Sequence, residues 1–544
     1  KGLMVKAFSY FKEKSINPKG EPLKKMILNT YFRKAAGLAF FCFSIIFSEA
    51  EESLRPARIF SDNMVLQQSA PVPVWGTSGP NEKVTVEYAG QKQKTKSDQK
   101  GKWRLNLKPL TANAEPKVFK VSTENKKISF KNVVVGEVWF SGGQSNMGYN
   151  TGSMAGRLEL GKSLVSKADY PNVRFRKVTE SNSPKPKEDL GGGSWFVCNS
   201  NSVKSFSAVG FIYARRLHLE LNVPIGIIDC SWGGTPIEPY IPAQAFTGHP
   251  TLEKLLQHAK TRNHEAIKKM RGGTFVRSDA WLAGAIYNSR IAPVAPYAVR
   301  GFIWYQAESN CGTGEDPRDY AHKMRALIRG WRTVWGNNDL PFYYVQLPQW
   351  KSYAWTYARE EQSRALDVSG TGMVVTIDLD INNDIHPPNK IDVGERLALL
   401  PLKNDYISDF PPIIPVTASG PTFESVERKD DSMVVHFKNA KEGLMVGKSE
   451  VGKVLEAEND KLFGFELADK DGSWHPADAS IQNRSVVVSK SGLNNPKAVR
   501  YACHPQCPKG KQWNLYNRAW LPASPFCSDW SLMEYDPGKN PMPN

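Results

Sequence analysis

A serine hydroxyl is a weak nucleophile until a base takes its proton, and one serine of this chain stands where a fold would supply both exposure and a base. Ser145 lies in Ser141-Gly-Gly-Gln-Ser-Asn-Met147, directly after the apolar run Val133–Phe140. Glycines and short polar residues after a buried strand predict a tight turn. Such a turn would present the hydroxyl into the crevice where open α/β sheets bind ligands. Of the nine histidines, His386 is the best placed base. It follows the apolar run Thr371–Asp378 in a short loop, so it would emerge at the same edge of a parallel sheet as Ser145. His249, His258 and His264 fall in a polar segment, His218 and His322 on helical stretches, and His436, His475 and His504 near the C-terminus.

Asp384, two residues before His386, is expected to accept from its Nδ1 and fix the tautomer. Glu308, in Gly301–Asn310 (GFIWYQAESN), is the rival carboxylate. The same window offers the amides of Gln306 and Asn310 as donors to a developing oxyanion. A further window, Ile227–Glu238 (IIDCSWGGTPIE), offers the N–H of Gly233 or Gly234 beside that of Ser145. Removing one such donor typically costs ~2.7–4 kcal/mol of transition-state stabilisation. Each window alone is an ordinary polar loop after a strand. Four of them converging on one sheet edge point to acyl transfer.

The elements that must position these residues follow from hydrophobic pattern. From 133 to 409, nearly continuous apolar runs alternate with helix-like stretches at Val209–Leu221, Tyr320–Trp335 and Ile391–Leu402. That alternation predicts an α/β domain with a parallel sheet covered on both faces. Residues 244–271 read as a helical insertion. Before this, 51–132 carries short β-type runs with turn signals every 8–12 residues and reads as a small β-sandwich. After a Pro-rich link, 410–544 returns to a β pattern.

The net charge of +17 is diffuse. Nine of the cations and three of the acids lie within residues 1–50, which leaves +11 on the rest without a basic stripe, so nucleic acid is not the expected partner. Met26–Ala50 has a basic start, a 13-residue apolar run (Ala35–Phe47) and a small-x-small end. That is the layout of a signal peptide, and residues 1–50 are set apart as upstream residues plus leader. A secreted or periplasmic protein with no integral membrane segment is expected. Six cysteines remain beyond it (Cys198, Cys230, Cys311, Cys503, Cys507, Cys527), an even count that permits disulfides. Cys503-His-Pro-Gln-Cys507 lacks a second ligand pair, so no metal is expected. Composition says nothing of oligomeric state.

GGQSNM, SWGGTPIE, IWYQAESN and NDIHPPNK, in this order and spacing, resemble the sialate O-acetylesterases of the SGNH-hydrolase superfamily. The similarity extends over roughly residues 55–535 and includes FSDNMVLQ, AVRYA, NLYN and LPASPFCSDW. The resemblance implies a three-layer SGNH-hydrolase core with a parallel sheet, flanked by N-terminal and C-terminal β domains. It implies no cofactor, and a Ser–His mechanism that removes acetyl groups from sugars, O-acetylated sialic acid first among them. Ser145 is then the nucleophile and His386 the base, with Asp384 or Glu308 as the acid. Ser145, Gly233 or Gly234, and Gln306 or Asn310 would form the oxyanion hole. An acetyl-esterase on plant or algal polysaccharide, of acetylxylan type, is the alternative substrate reading. A carbohydrate-binding surface protein with a decayed hydrolase core is the alternative of another class. Three positions depart from the family pattern: Ala307 in place of a usual Gly, Gly-Tyr-Asn after Met147, and Asp380 in place of a usual Gly.

Overall fold

The computed structural model describes residues 54–272, 278–312, 315–379, 384–407 and 417–539. The expected leader Met26–Ala50 and Asp380 lie outside the described residues. The chain folds as a mixed α/β protein with several sheets and flanking β regions. Its central strands are, in chain order, β1 (Lys127–Gly143), β2 (Asp169–Lys177), β3 (Trp195–Asn199), β4 (Ile225–Asp229), β5 (Gly301–Tyr305), β6 (Phe342–Val345) and β7 (Thr371–Val374). They lie in the order β3-β2-β4-β1-β5-β6-β7. Every neighbouring pair is parallel except β3 with β2.

Alternation along these strands divides the core in two. Trp139, Ile225, Ile227, Ile303, Tyr305, Tyr343 and Val345 face one cluster, shared with the helices α2 (Ala208–Leu221) and α4 (Lys390–Asn404). Phe140, Ile228, Phe302, Trp304, Phe342 and Tyr344 face another, shared with α3 (Tyr320–Trp335). Trp331 of α3 meets Phe140 and Trp304 edge-on at 5.2 and 5.7 Å. Local signals set the helix ends. Ser207 caps α2 by accepting from Gly210 N–H, and Asn222 closes it in the left-handed conformation at φ 52°. Asn389 caps α4 by accepting from Asp392 N–H.

β1 is the spine of the molecule. Its first half alternates between exposed and half-buried residues, and its second half, Val133–Gly143, is buried throughout. The first half pairs with Asn113–Ser122, and Val65–Gln67 runs parallel to Val134–Gly136, so N-terminal strands join the central sheet. The expected boundary at 132/133 falls inside this single strand. Glu137, buried within it, accepts from Gln67 Nε2, Gln68 Nε2 and Tyr406 Oη at 2.5–3.1 Å, which explains an acid in an apolar run. Residues 244–271 include helices at Pro250–Lys260 and His264–Met270. Beyond residue 417 the chain forms one three-stranded and two four-stranded antiparallel sheets. All six cysteines there and in the core are buried free thiols. No helix among the described residues is long and apolar enough to cross a membrane.

Candidate active site

β1 ends at a position that only glycine tolerates. Gly143 has φ +134°, and a Cβ on it would lie 2.2 Å from the carbonyl oxygen of Tyr305. The chain can therefore turn sharply against the end of β5, where Gln144 N–H donates to Tyr305 O at 3.1 Å. Ser145 follows, half-buried, at the start of a single helical turn. Its Oγ lies 2.8 Å from His386 Nε2, although the two residues are 241 positions apart in sequence. Burial is the main reason that the His386 imidazole titrates below its ordinary range. Lys390 and Arg157 push it further down, and Asp384 pulls it up. At neutral pH the ring is uncharged and Nε2 can accept the serine proton.

Asn146, next to the serine, ties the two loops together. Its Nδ2 donates to Glu308 Oε1 at 2.6 Å and to the carbonyl of Ile385 at 2.9 Å, and its Oδ1 accepts from Lys390 Nζ at 2.6 Å. Asn146 and Lys390 are fully buried. Glu308 accepts in addition from Ala307 N–H at 2.9 Å, and burial raises its carboxyl above the usual range. Among the described residues Glu308 makes no bond to the His386 ring. Ala307, the residue in the place of a usual glycine, has φ 159° and ψ −14°, outside the extended region. Backbone of this kind costs of order 1–3 kcal/mol.

Asp384 also departs from the expected geometry. One oxygen accepts from the backbone N–H of His386 at 2.8 Å and the other from Arg157 Nη2 at 2.7 Å. Burial raises its carboxyl, but these two donors outweigh it and hold the group below the ordinary carboxylate range. Among the described residues no hydrogen bond joins the imidazole to either candidate acid. The backbone N–H competes successfully for the Asp384 oxygen because it is only two residues away.

The amides of Gln306 and Asn310 are not open donors. Gln306 Nε2 donates to Gln144 Oε1 at 3.0 Å and to Asn310 Oδ1 at 2.9 Å. Asn310 Nδ2 donates to Glu238 and Glu315 at 3.1–3.2 Å. Those two acids are neutralised by Lys323 and Arg271 at 3.0 and 2.7 Å in a buried cluster. A donor that sequence reading missed stands in front of them. Gln144 Oε1 is held by Gln306 Nε2 and by Ser309 N–H, both at 3.0 Å, so its Nε2 edge is turned away from both. That edge makes no hydrogen bond among the described residues. Its only sequence signal was adjacency to Ser145. Gly233 completes the surround, since a Cβ on it would lie 3.6 Å from the Cβ of Ser145. Gly234 takes φ +70°. Among the described residues neither glycine N–H meets a protein acceptor. Asp229 fixes this loop by accepting from Ser141 Oγ and Ser231 N–H at 3.1 and 3.0 Å.

Lys390→Met is expected to move the acid limb of kcat/KM to higher pH. The sign follows from charge: removing a cation that disfavours the imidazolium raises the His386 pKa, so a base at this position would be protonated at a higher pH. A pH–rate profile of the variant checks this, and an unmoved limb would refute the influence of Lys390.

The Cys503–Cys507 segment is otherwise engaged. Cys503 Sγ donates to Phe526 O at 3.0 Å, and His504 Nε2 pairs with Glu466 at 2.7 Å. Among the described residues no group of three or more His, Cys, Asp or Glu side chains is placed to hold a metal ion.

Residues 135–402 match the family described as carbohydrate esterase, sialic acid-specific acetylesterase. The sialate O-acetylesterase of Rattus norvegicus is 26% identical over 530 residues, covering 86% of this chain and 93% of that protein. The sialate O-acetylesterase of Homo sapiens is 26% identical over 518 residues, covering 87% and 92%. Among solved structures, a carbohydrate acetylesterase from Xanthomonas citri is 31% identical and superposes with a TM-score of 0.75. It covers 87% of this chain and 99% of its own.

Proposed function

Because this chain belongs to the sialate O-acetylesterase family, and so is a carboxylic ester hydrolase, we propose that it removes O-acetyl groups from sugars by a serine mechanism centred on Ser145 and His386. The observation that carries the reading is the 2.8 Å separation of Ser145 Oγ from His386 Nε2. His386 takes the hydroxyl proton as Oγ attacks the acetyl carbonyl. The N–H groups of Ser145 and Gly233 and the Nε2 edge of Gln144 receive the oxyanion, with Gly234 shaping the turn. The imidazolium then returns its proton to the leaving sugar oxygen, and water cleaves the acetyl-enzyme by the same path in reverse. Gln306 and Asn310 act behind this layer by orienting Gln144.

The β1–β7 sheet, parallel except where β3 pairs with β2, with helices on both faces, supports a three-layer SGNH-hydrolase core over about residues 133–409. The β regions at 51–132 and 410–544 are its flanking domains. Export rests on the Met26–Ala50 segment. O-acetylated sialic acid is the substrate we favour, in line with the family description.

Labelling with a fluorophosphonate probe tests the mechanism: adduct formation at Ser145, abolished in Ser145→Ala, is expected. A decayed, sugar-binding protein would remain unlabelled. Acetate release from O-acetylated sialic acid and from acetylated xylan tests the substrate. Faster release from xylan would move the assignment to polysaccharide deacetylation.

A further inference from the structure

We infer that Arg157 binds the carboxylate of an acidic acetylated sugar whose ester lies over Ser145, a subsite that rests on the serine-esterase reading above. Arg157 is the last residue of α1 (Thr151–Arg157), the helix that begins six residues after the nucleophile. Its Nη1 lies 3.4 Å from the carbonyl of His386, whose ring in turn holds Ser145 Oγ at 2.8 Å. One residue, His386, thus touches both the guanidinium, through its carbonyl, and the reacting hydroxyl, through its ring.

The side chain has donors to offer. A guanidinium carries five N–H groups. Asp384 Oδ2 engages Nη2 at 2.7 Å, His386 O faces Nη1, and the Tyr149 hydroxyl is a further neighbour. The side chain nonetheless remains 45% exposed, while that of Asp384 is 25% exposed. This partly exposed side chain ends in a planar fork of donors. Such a fork matches a carboxylate with two parallel bonds.

The other charges of this cluster cannot play the part. Lys390 is fully buried and donates to Asn146, with the rings of Tyr149 and Tyr305 each 5.3 Å away. Glu308 is buried behind Asn146. A structural role alone does not account for Arg157 either, since a half-exposed ion pair contributes little to stability. A neutral acetylated hexose would gain nothing from this cation. A sialic acid carries its carboxylate and its acetyl esters on one molecule, so one sugar can occupy both the fork and the nucleophile.

The test compares O-acetylated N-acetylneuraminic acid with its methyl ester on the intact protein and on Arg157→Ala and Arg157→Lys. Any effect transmitted through Asp384 changes both substrates alike, so the ratio of the two kcat/KM values isolates recognition of the carboxylate. We expect the unaltered protein to favour the acid by about tenfold or more, with the preference shrinking as salt rises. Arg157→Ala should bring the ratio to about one, mostly through KM, and Arg157→Lys should restore part of it. A ratio that is already near one in the unaltered protein, or that survives Arg157→Ala, would overturn the subsite. Failure of the underlying mechanism has a different signature, namely both substrates being hydrolysed normally by Ser145→Ala.

Discussion

Ser145→Ala is expected to lower kcat on acetylated sugar by about 10⁴- to 10⁶-fold, the scale on which removal of such a nucleophile acts, while the protein melts where the unaltered one does. The two halves of this result have separate causes. Among the described residues Ser145 Oγ bonds to His386 Nε2 alone, and Ser145 is half-exposed, so its loss strands no buried partner. The turn itself is held by others: Gly143 at φ +134°, the Gln144 N–H on Tyr305 O, and Asn146 bridging Glu308, Ile385 and Lys390. The oxyanion donors we propose survive the substitution, so a residual rate above that of water is expected. Kinetics on p-nitrophenyl acetate beside a thermal melt measure both halves. Near-normal turnover would transfer the nucleophile to another residue, and a collapsed melt would mean that the hydroxyl holds the fold.

How much of this was legible in the sequence depends on the range of the interaction. Strands buried on both faces read as continuous apolar runs, and the turn after one of them reads from its glycines. Ser145 and His386 could thus be placed on one edge without coordinates. The helices at Tyr320–Trp335 and Ala208–Leu221 start within one residue of where periodicity puts them, since the apolar pattern that marks a helix is local, and Ser207 caps the second. The change of pattern at residue 133 is also real, yet it marks no break in the chain. Asn132 takes φ 56° within β1, and the strand continues from a half-exposed stretch into the core. A single strand can serve two environments, and composition records only the environments.

Side-chain partners were not legible, for a geometric reason. Asn310 looked like a free amide until Glu238, 72 residues earlier, and Glu315 met it in a buried cluster with Lys323 and Arg271. Gln306 is oriented by Gln144, 162 residues away, and by the Tyr320 hydroxyl. An amide that must satisfy buried charges cannot also open toward substrate. The donor role we propose therefore passes forward to Gln144, which read as a turn residue. Lys390 was visible only as a letter of a motif. That it is buried with the rings of Tyr149 and Tyr305 each 5.3 Å away and its Nζ donating to Asn146 Oδ1 depends on the packing of α4 against the turn that carries Ser145.

His386→Gln should lose about 10⁴- to 10⁶-fold in kcat/KM, whereas Asp384→Asn should lose only about ten- to a hundredfold. A carboxylate bonded to Nδ1 fixes the tautomer, and neutralising it in such a triad costs about 10⁴-fold. Asp384 instead bonds to the backbone N–H of His386 and to Arg157, so it sets the path of the loop and acts on the ring through space. Its charge favours the imidazolium, so Asp384→Asn should lower the His386 pKa and move the acid limb of kcat/KM to lower pH. That shift is opposite in sign to the one expected for Lys390→Met. Two substitutions of opposite charge that both act on one imidazole must pull its titration apart if His386 is the base, whichever acid orients it. Equal losses in Asp384→Asn and His386→Gln would show instead that the carboxylate swings onto Nδ1 during turnover, and the pair would then have to be treated as a triad.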